Sequence, residues 1–132
     1  MKMKFLGLMT LSFLFSTALF AQKTFDGKTI SEVKEWKIEG KKRTLDHLTK
    51  YDDKGNKAEE TEYAANGDMR ERIVYEYNAK GKCIKETHYD EYNKLKKTVT
   101  FEYHENGKKK SQSTFLPNGK LKSQKEYEYI LK

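Results

Sequence analysis

Cysteine, proline and aliphatic side chains are all scarce in this sequence. Cys83 is the only cysteine, so no internal disulfide can staple the chain. Pro117 is the only proline. Leu, Ile, Val and Phe supply 17 of the 111 residues from 22 to 132. That share is small for a dry core, and with this much charge it approaches the composition of a disordered chain. Charge, tyrosine and glycine are plentiful instead: 27 Lys+Arg, 20 Asp+Glu, nine Tyr and eight Gly. A folded state must therefore be one that needs few aliphatic residues.

Catalytic and metal-binding patterns are also missing. The histidines are His47, His88 and His104. No pair of them has the spacing of metal ligands, and none stands in a Ser/His/Asp setting. By strand alternation His88 falls on a charged face, where a solvated imidazole is expected. Cys83 takes the place that Met69, Leu95 and Leu121 hold in other units, so it is expected to pack as a small hydrophobe. The glycines punctuate turns and do not open a helix, as a phosphate-binding loop would require. Asp52-Asp53 lie in a turn with too few alternating ligands for calcium. The expectation is a protein with no catalytic residues, no metal and no cofactor, and hence not an enzyme.

The N-terminus has a different character. Lys2 and Lys4 precede an uncharged, mostly apolar run over 5–20. That run is shorter than the roughly 20 residues of a membrane span, and small residues follow it. The pattern predicts a secretory signal peptide over 1–21, cut after Ala18 or Ala21, with an anchor helix as the competing assignment. No cysteine follows the run to accept a lipid. The expected location is the periplasm or the extracellular space, with no transmembrane span after cleavage and no nucleic acid as partner.

Downstream the chain repeats itself. An aromatic residue is followed four positions later by Gly or Asn at Tyr51/Gly55, Tyr63/Gly67, Tyr77/Gly81, Tyr89/Asn93, Tyr103/Gly107 and Phe115/Gly119. Units of 12 and 14 residues alternate, giving a 26-residue super-repeat. Gly55, Gly67, Gly81, Asn93, Gly107 and Gly119 are the structural turn positions. Each suits a residue at positive φ after a type I turn, and Asn is among the non-Gly residues that best tolerate that region. Asn93 is therefore expected to serve through its backbone angle and not through its side-chain chemistry.

Segments between turns are short and rich in Thr, Tyr, Val and Phe, which suits strands. The expected fold is all-β: a single-layer, open antiparallel meander of about seven or eight strands built from alternating 12/14-residue hairpins. A small closed up-and-down barrel is the alternative. Because both unit lengths are even, period-two alternation places two aromatic ladders on one face. One ladder contains Tyr51, Tyr75, Tyr77, Phe101, Tyr103, Tyr127 and Tyr129. The other contains Tyr63, Met69, Tyr89, Leu95, Phe115 and Leu121. Tyr75, Tyr77, Phe101, Tyr103, Tyr127 and Tyr129 form the candidate aromatic binding face, and the same residues could equally hold the repeats together. Lys96, Lys108, Lys110 and Lys122 form a candidate basic face opposite.

Residues 22–50 are less regular. Val33–Ile38, a turn at 39–41 and Arg43–Tyr51 read as one more hairpin, with a helix over 29–38 as the competing assignment. The odd step from Gly40 to Gly55 requires a bulge or a different turn. Trp36 is placed to cap the first edge. Residues 51–132 then form the repeat region. Residues 93–132 carry ten Lys and four Glu, whereas 22–92 are nearly neutral. The basic third fits an anionic glycan or surface, or simply a solvated lysine-rich exterior.

Tyr75-Glu76-Tyr77-Asn78-Ala79-Lys80-Gly81-Lys82 and Phe101-Glu102-Tyr103-His104-Glu105-Asn106-Gly107-Lys108 resemble the YD repeat of Rhs-type proteins. Leu116-Pro117-Asn118-Gly119-Lys120-Leu121-Lys122-Ser123 resembles MORN-variant repeats, which are often labelled antitoxin-like in bacteria. The resemblance covers roughly residues 47–132. It implies a β-hairpin repeat architecture, and its antitoxin-like label implies binding and neutralising a partner toxin. The expected function is an exported protein-interaction scaffold, whose partner is another envelope or secreted protein. A glycan- or small-molecule-binding module using the aromatic face is the alternative.

Overall fold

The computed structural model describes residues 24–132. The predicted signal peptide at 1–21 lies outside the described residues. Thr24–Phe25 (β1) and Lys28–Thr29 (β2) form a small two-stranded sheet. Eight strands follow: Glu32–Glu39 (β3), Lys42–Tyr51 (β4), Lys57–Tyr63 (β5), Met69–Tyr77 (β6), Cys83–Tyr89 (β7), Leu95–Tyr103 (β8), Lys109–Phe115 (β9) and Leu121–Glu126 (β10). They lie in sequence order in one antiparallel sheet. β3 and β10 are its two edges and do not pair, so the sheet is open and the barrel alternative fails. The segment 29–38 contributes to β3 and is not helical.

Six turns repeat one backbone design. In each, the first turn residue donates its N–H to the carbonyl four positions on. The Gly or Asn three positions on donates back to that first residue's carbonyl, as in Asp52 N to Asn56 O (2.8 Å) and Gly55 N to Asp52 O (3.0 Å). All six expected turn positions have positive φ, from 61° at Asn93 to 91° at Gly67. One side-chain oxygen locks each turn. Asp52, Asn78 and Asp90 accept backbone N–H groups from the first turn position. Asn66, Asn106 and Asn118 do so from the third. Each of these is an Asx turn, in which a short polar side chain replaces a backbone acceptor.

A second irregularity follows every turn. Tyr77 pairs with Cys83, but Glu76 pairs with Lys85, so Ile84 is left as a β-bulge. Ala58, Arg70, Lys96, Lys110 and Lys122 are bulged in the same way. In the first hairpin Asp46 takes this role, as the odd step from Gly40 required. Residues directly opposite one another in an antiparallel ladder share a face. Each bulge therefore shifts the alternation by one. The two aromatic ladders end up on opposite faces, not on one as the even unit length implied. Tyr75, Glu86 and Val99 are opposed in turn on one face. Tyr63/Met69, Tyr89/Leu95 and Phe115/Leu121 are opposed on the other. Two bulges per super-repeat restore register, so residues 26 apart do occupy equivalent places.

No second layer covers either face among the described residues. Val99 is the only buried hydrophobic residue there, at 5% exposure. Thr49, Thr61, His88 and Ser111 are buried as well. Lateral contacts between strands therefore replace a dry core. On the face opposite Tyr75, Arg72 stacks 4.2 Å from the Tyr89 ring, bonds Glu59 at 2.8 Å and donates twice to the side-chain oxygen of Asn93. Asn93 thus holds Arg72 besides adopting positive φ, which corrects the expectation that only its backbone matters. Asn93→Ala should cost about 1–2 kcal/mol, combining left-handed strain with the lost acceptor. Asn93→Gly relieves the strain but loses the same bonds, so it should be less damaging. Urea unfolding of both variants checks the ordering.

Candidate functional site

The six expected aromatic residues do share one face, here called the tyrosine face. The tyrosine that closes each aromatic-x-Tyr pair donates its hydroxyl to a carbonyl 20 residues earlier. Tyr77 donates to Lys57 O (2.7 Å), Tyr103 to Cys83 O (2.6 Å) and Tyr129 to Lys109 O (2.7 Å). These three bonds recur at the super-repeat spacing. Tyr75 donates to Glu60 Oε1 at 2.6 Å, and Tyr127 donates to Gln112 at 3.4 Å. Burial, then the Glu60 bond, push the Tyr75 phenol well above its ordinary range. Burial does the same to Tyr77. The hydroxyls are thus committed to joining strands. The rings remain partly open, from half-buried at Tyr75 and Tyr77 to 45% exposed at Tyr129. Lys109 bridges two of them, 5.0 Å from the Phe101 ring and 5.4 Å from that of Tyr127. Trp36 does not cover the stripe: it lies on edge strand β3 beneath the Arg43 guanidinium, 3.8 Å from its ring centroid.

Beside the stripe lies an acidic patch that sequence alternation missed. His88 is 7% exposed, contrary to the solvated position expected of it. The Ile84 bulge turns it onto the tyrosine face, opposite Ile73. Its Nδ1 lies 3.2 Å from Glu71 and its Nε2 lies 2.9 Å from Glu86. Lys96 adds a bond to Glu71 at 2.9 Å. Burial raises the Glu71 carboxyl, but the bonds from Lys96 and His88 outweigh it and hold the group below its usual range. At Glu60 burial is likewise outweighed, by Tyr75 and Lys57. His47, Glu60, Glu62, Glu71 and Ile73 line a cleft of about 170 Å³ on this face.

The four basic residues are not brought together. Lys96, Lys110 and Lys122 are bulge residues, and Lys108 directly follows Gly107. Lys96 and Lys122 lie at one end of the strands and Lys108 and Lys110 at the other, about 20 Å away for strands of this length. Lys96 moreover reaches Glu71 on the tyrosine face and so does not belong to an opposite basic face. The reason is again the bulge, which breaks the alternation that had grouped them. Cys83 is half-buried with its thiol 3.5 Å from Lys85 O, and burial raises its pKa. That disfavours the thiolate a nucleophile would need. Among the described residues no group of three or more His, Cys, Asp or Glu side chains could hold a metal ion. Among them no helix is long and apolar enough to cross a membrane.

Fold and surface together define a single-layer antiparallel β-repeat protein. The chain belongs to a family that carries the description "Uncharacterised protein", whose model matches residues 11–129. No curated protein matches it. Among solved structures it is similar to part of S. aureus TarM, at 12% identity and a TM-score of 0.36, covering 85% of this chain and 23% of that one. It is also similar to part of a GtfA/B complex bound to UDP and GlcNAc, at 14% identity and a TM-score of 0.32, covering 67% and 23%. The chain therefore spans about a quarter of the length of these two. A Bacteroides fragilis protein of unknown function matches at 15% identity and a TM-score of 0.28, covering 73% of this chain and 91% of that one. At these scores none of the three carries a functional inference.

Proposed function

We propose that the protein is an exported interaction scaffold that docks an envelope or secreted protein on its tyrosine face and performs no catalytic step of its own. One observation supports the reading above others. An eight-stranded sheet leaves this face without a second layer among the described residues, and the rings of Phe101, Tyr103, Tyr127 and Tyr129 lie along it partly open. Broad uncovered surfaces bearing aromatic rings are characteristic of interaction sites. The tyrosine hydroxyls hold the sheet, so the ring faces and the acidic patch are what remain for a partner.

The test separates docking from stability. Phe101→Thr and Tyr127→Thr remove ring area without removing any of the three hydroxyls bonded to backbone carbonyls. Affinity capture from the native envelope with the full-length chain should recover one stoichiometric protein, and both variants should lose it while their melting temperatures fall only slightly. Capture that is unchanged in both variants would defeat the proposal.

A further inference from the structure

Charge on the tyrosine face is divided unevenly between its two halves. On β3 to β7 the register brings Glu35, Glu39, Glu60, Glu62, Glu71 and Glu86 to this face, against three lysines, Lys37, Lys42 and Lys57. On β8 to β10 it brings Lys97, Lys109 and Lys125, and no strand Asp or Glu of these three shares the face. Lys97 and Lys125 make no ion pair among the described residues, and Glu62 meets only the His47 ring, at 4.0 Å. One half of the face therefore carries a net negative charge and the other a net positive one, with the division close to the middle of the sheet.

We infer that a second copy of this chain covers the tyrosine face, the two sheets stacking face to face with their strands aligned. The charge pattern selects the symmetry. A two-fold axis parallel to the strands, lying between the sheets, reverses strand order from one layer to the other. The acidic half of each copy then meets the basic half of its partner. A two-fold axis perpendicular to the strands would set acid on acid, which is repulsive. About the strand-parallel axis β8 lies over β5 of the second copy. Lys97 is opposite His88, which is opposite Ile73, which is opposite Glu60. These four lie in one row across the sheet, and Glu62 lies one step along β5 from that row. The axis thus brings Lys97 above Glu60 and Glu62 of the other copy.

Size and layering agree with this arrangement. Eight strands about 4.8 Å apart, each contributing about 20 Å of length, present roughly 760 Å² per copy. Stable interfaces bury about 800 Å² per partner. Packing two sheets produces the two-layer architecture in which sheets ordinarily bury a face, and that a single layer with one buried hydrophobic residue lacks. The inference rests on the docking role proposed for this face and names its occupant.

Analytical ultracentrifugation of the full-length protein tests it. A dimer that saturates at two copies and weakens with added salt is expected. Glu62→Lys and Lys97→Glu each place like charges across the interface and should raise the dimer dissociation constant about tenfold or more. The double variant Glu62→Lys/Lys97→Glu should restore it to near the original value, which a variant that merely misfolded could not do. Melting curves for all three confirm that the monomer fold persists. A monomer at every concentration, an open-ended polymer growing from the β3 and β10 edges, or a dimer indifferent to the charge exchange would each overturn the inference. A monomer whose envelope capture still depends on Phe101 would overturn self-stacking and leave the docking role standing.

Discussion

Replacing His88 by alanine should destabilise the fold by about 3 kcal/mol, because it empties a buried site and removes two side-chain hydrogen bonds. For a chain of this size that corresponds to a fall of roughly 10 °C or more in melting temperature. The imidazole is 7% exposed and lies between two carboxylates, so its removal leaves a cavity and takes a hydrogen-bond partner from each acid. Glu71 keeps Lys96, but Glu86 shows no other ion pair among the described residues. Adding Glu86→Gln to His88→Ala should therefore recover part of the loss. Calorimetry on the single and double variants measures both effects, and a single variant within 1 kcal/mol of the original protein would defeat the argument.

The same cluster sets the response to acid. Glu60 and Glu71 have carboxyl pKa values held low in the folded state. The unfolded chain then binds more protons, so the stability these groups contribute is fully present above the unfolded carboxylate value of about 4.3. It is lost as the pH falls from there through their folded values. Melting temperature should accordingly be flat from pH 7 down to about 5 and then drop. In His88→Ala the drop should be shallower, because His88 is one of the partners that lower Glu71.

How much of this was legible in the sequence depended on which backbone angles demand particular residues. Positive φ strongly favours glycine or asparagine, so all six turns could be read from Gly55, Gly67, Gly81, Asn93, Gly107 and Gly119. Strand type and the 26-residue period followed from those positions. The bulges could not be read, because a bulge at ordinary negative φ accepts any side chain. Ala58, Arg70, Ile84, Lys96, Lys110 and Lys122 share no chemistry, yet each occupies the same place. One unseen residue per hairpin inverted every face assignment that depended on counting through it. That is why Tyr89 and Phe115 were placed with Tyr75, and why His88 was expected in solvent. Residues 26 apart were grouped correctly because two bulges intervene and cancel. The aromatic stripe survived for this reason, whereas the basic face, which mixed Lys96 and Lys122 with Lys108 and Lys110, did not.

Val99→Asp should abolish cooperative folding altogether. Val99 is the only buried hydrophobic side chain among the described residues and sits near the middle of β8, a central strand. It lies directly opposite Glu86 on one side and Thr114 on the other. A carboxylate there would be stripped of water, with no cation on either directly opposed residue. It would also stand across from a second carboxylate, and like charges directly opposed in a ladder repel. Burying an unpaired charge costs several kcal/mol. Domains of about a hundred residues have only about 5–15 kcal/mol in total, and one without a dry core belongs at the lower end of that range. Val99→Ala is the control: it removes two methyl groups without adding charge and should cost roughly 2 kcal/mol, leaving the fold intact. Native-state hydrogen exchange provides the decisive contrast. In Val99→Ala the amides of β6 to β9 should remain protected with a reduced opening free energy, whereas in Val99→Asp they should exchange like the outermost strands. If protection in β7 and β8 persists in Val99→Asp, lateral hydrogen bonding alone can sustain the sheet, and the central role assigned to this side chain is wrong.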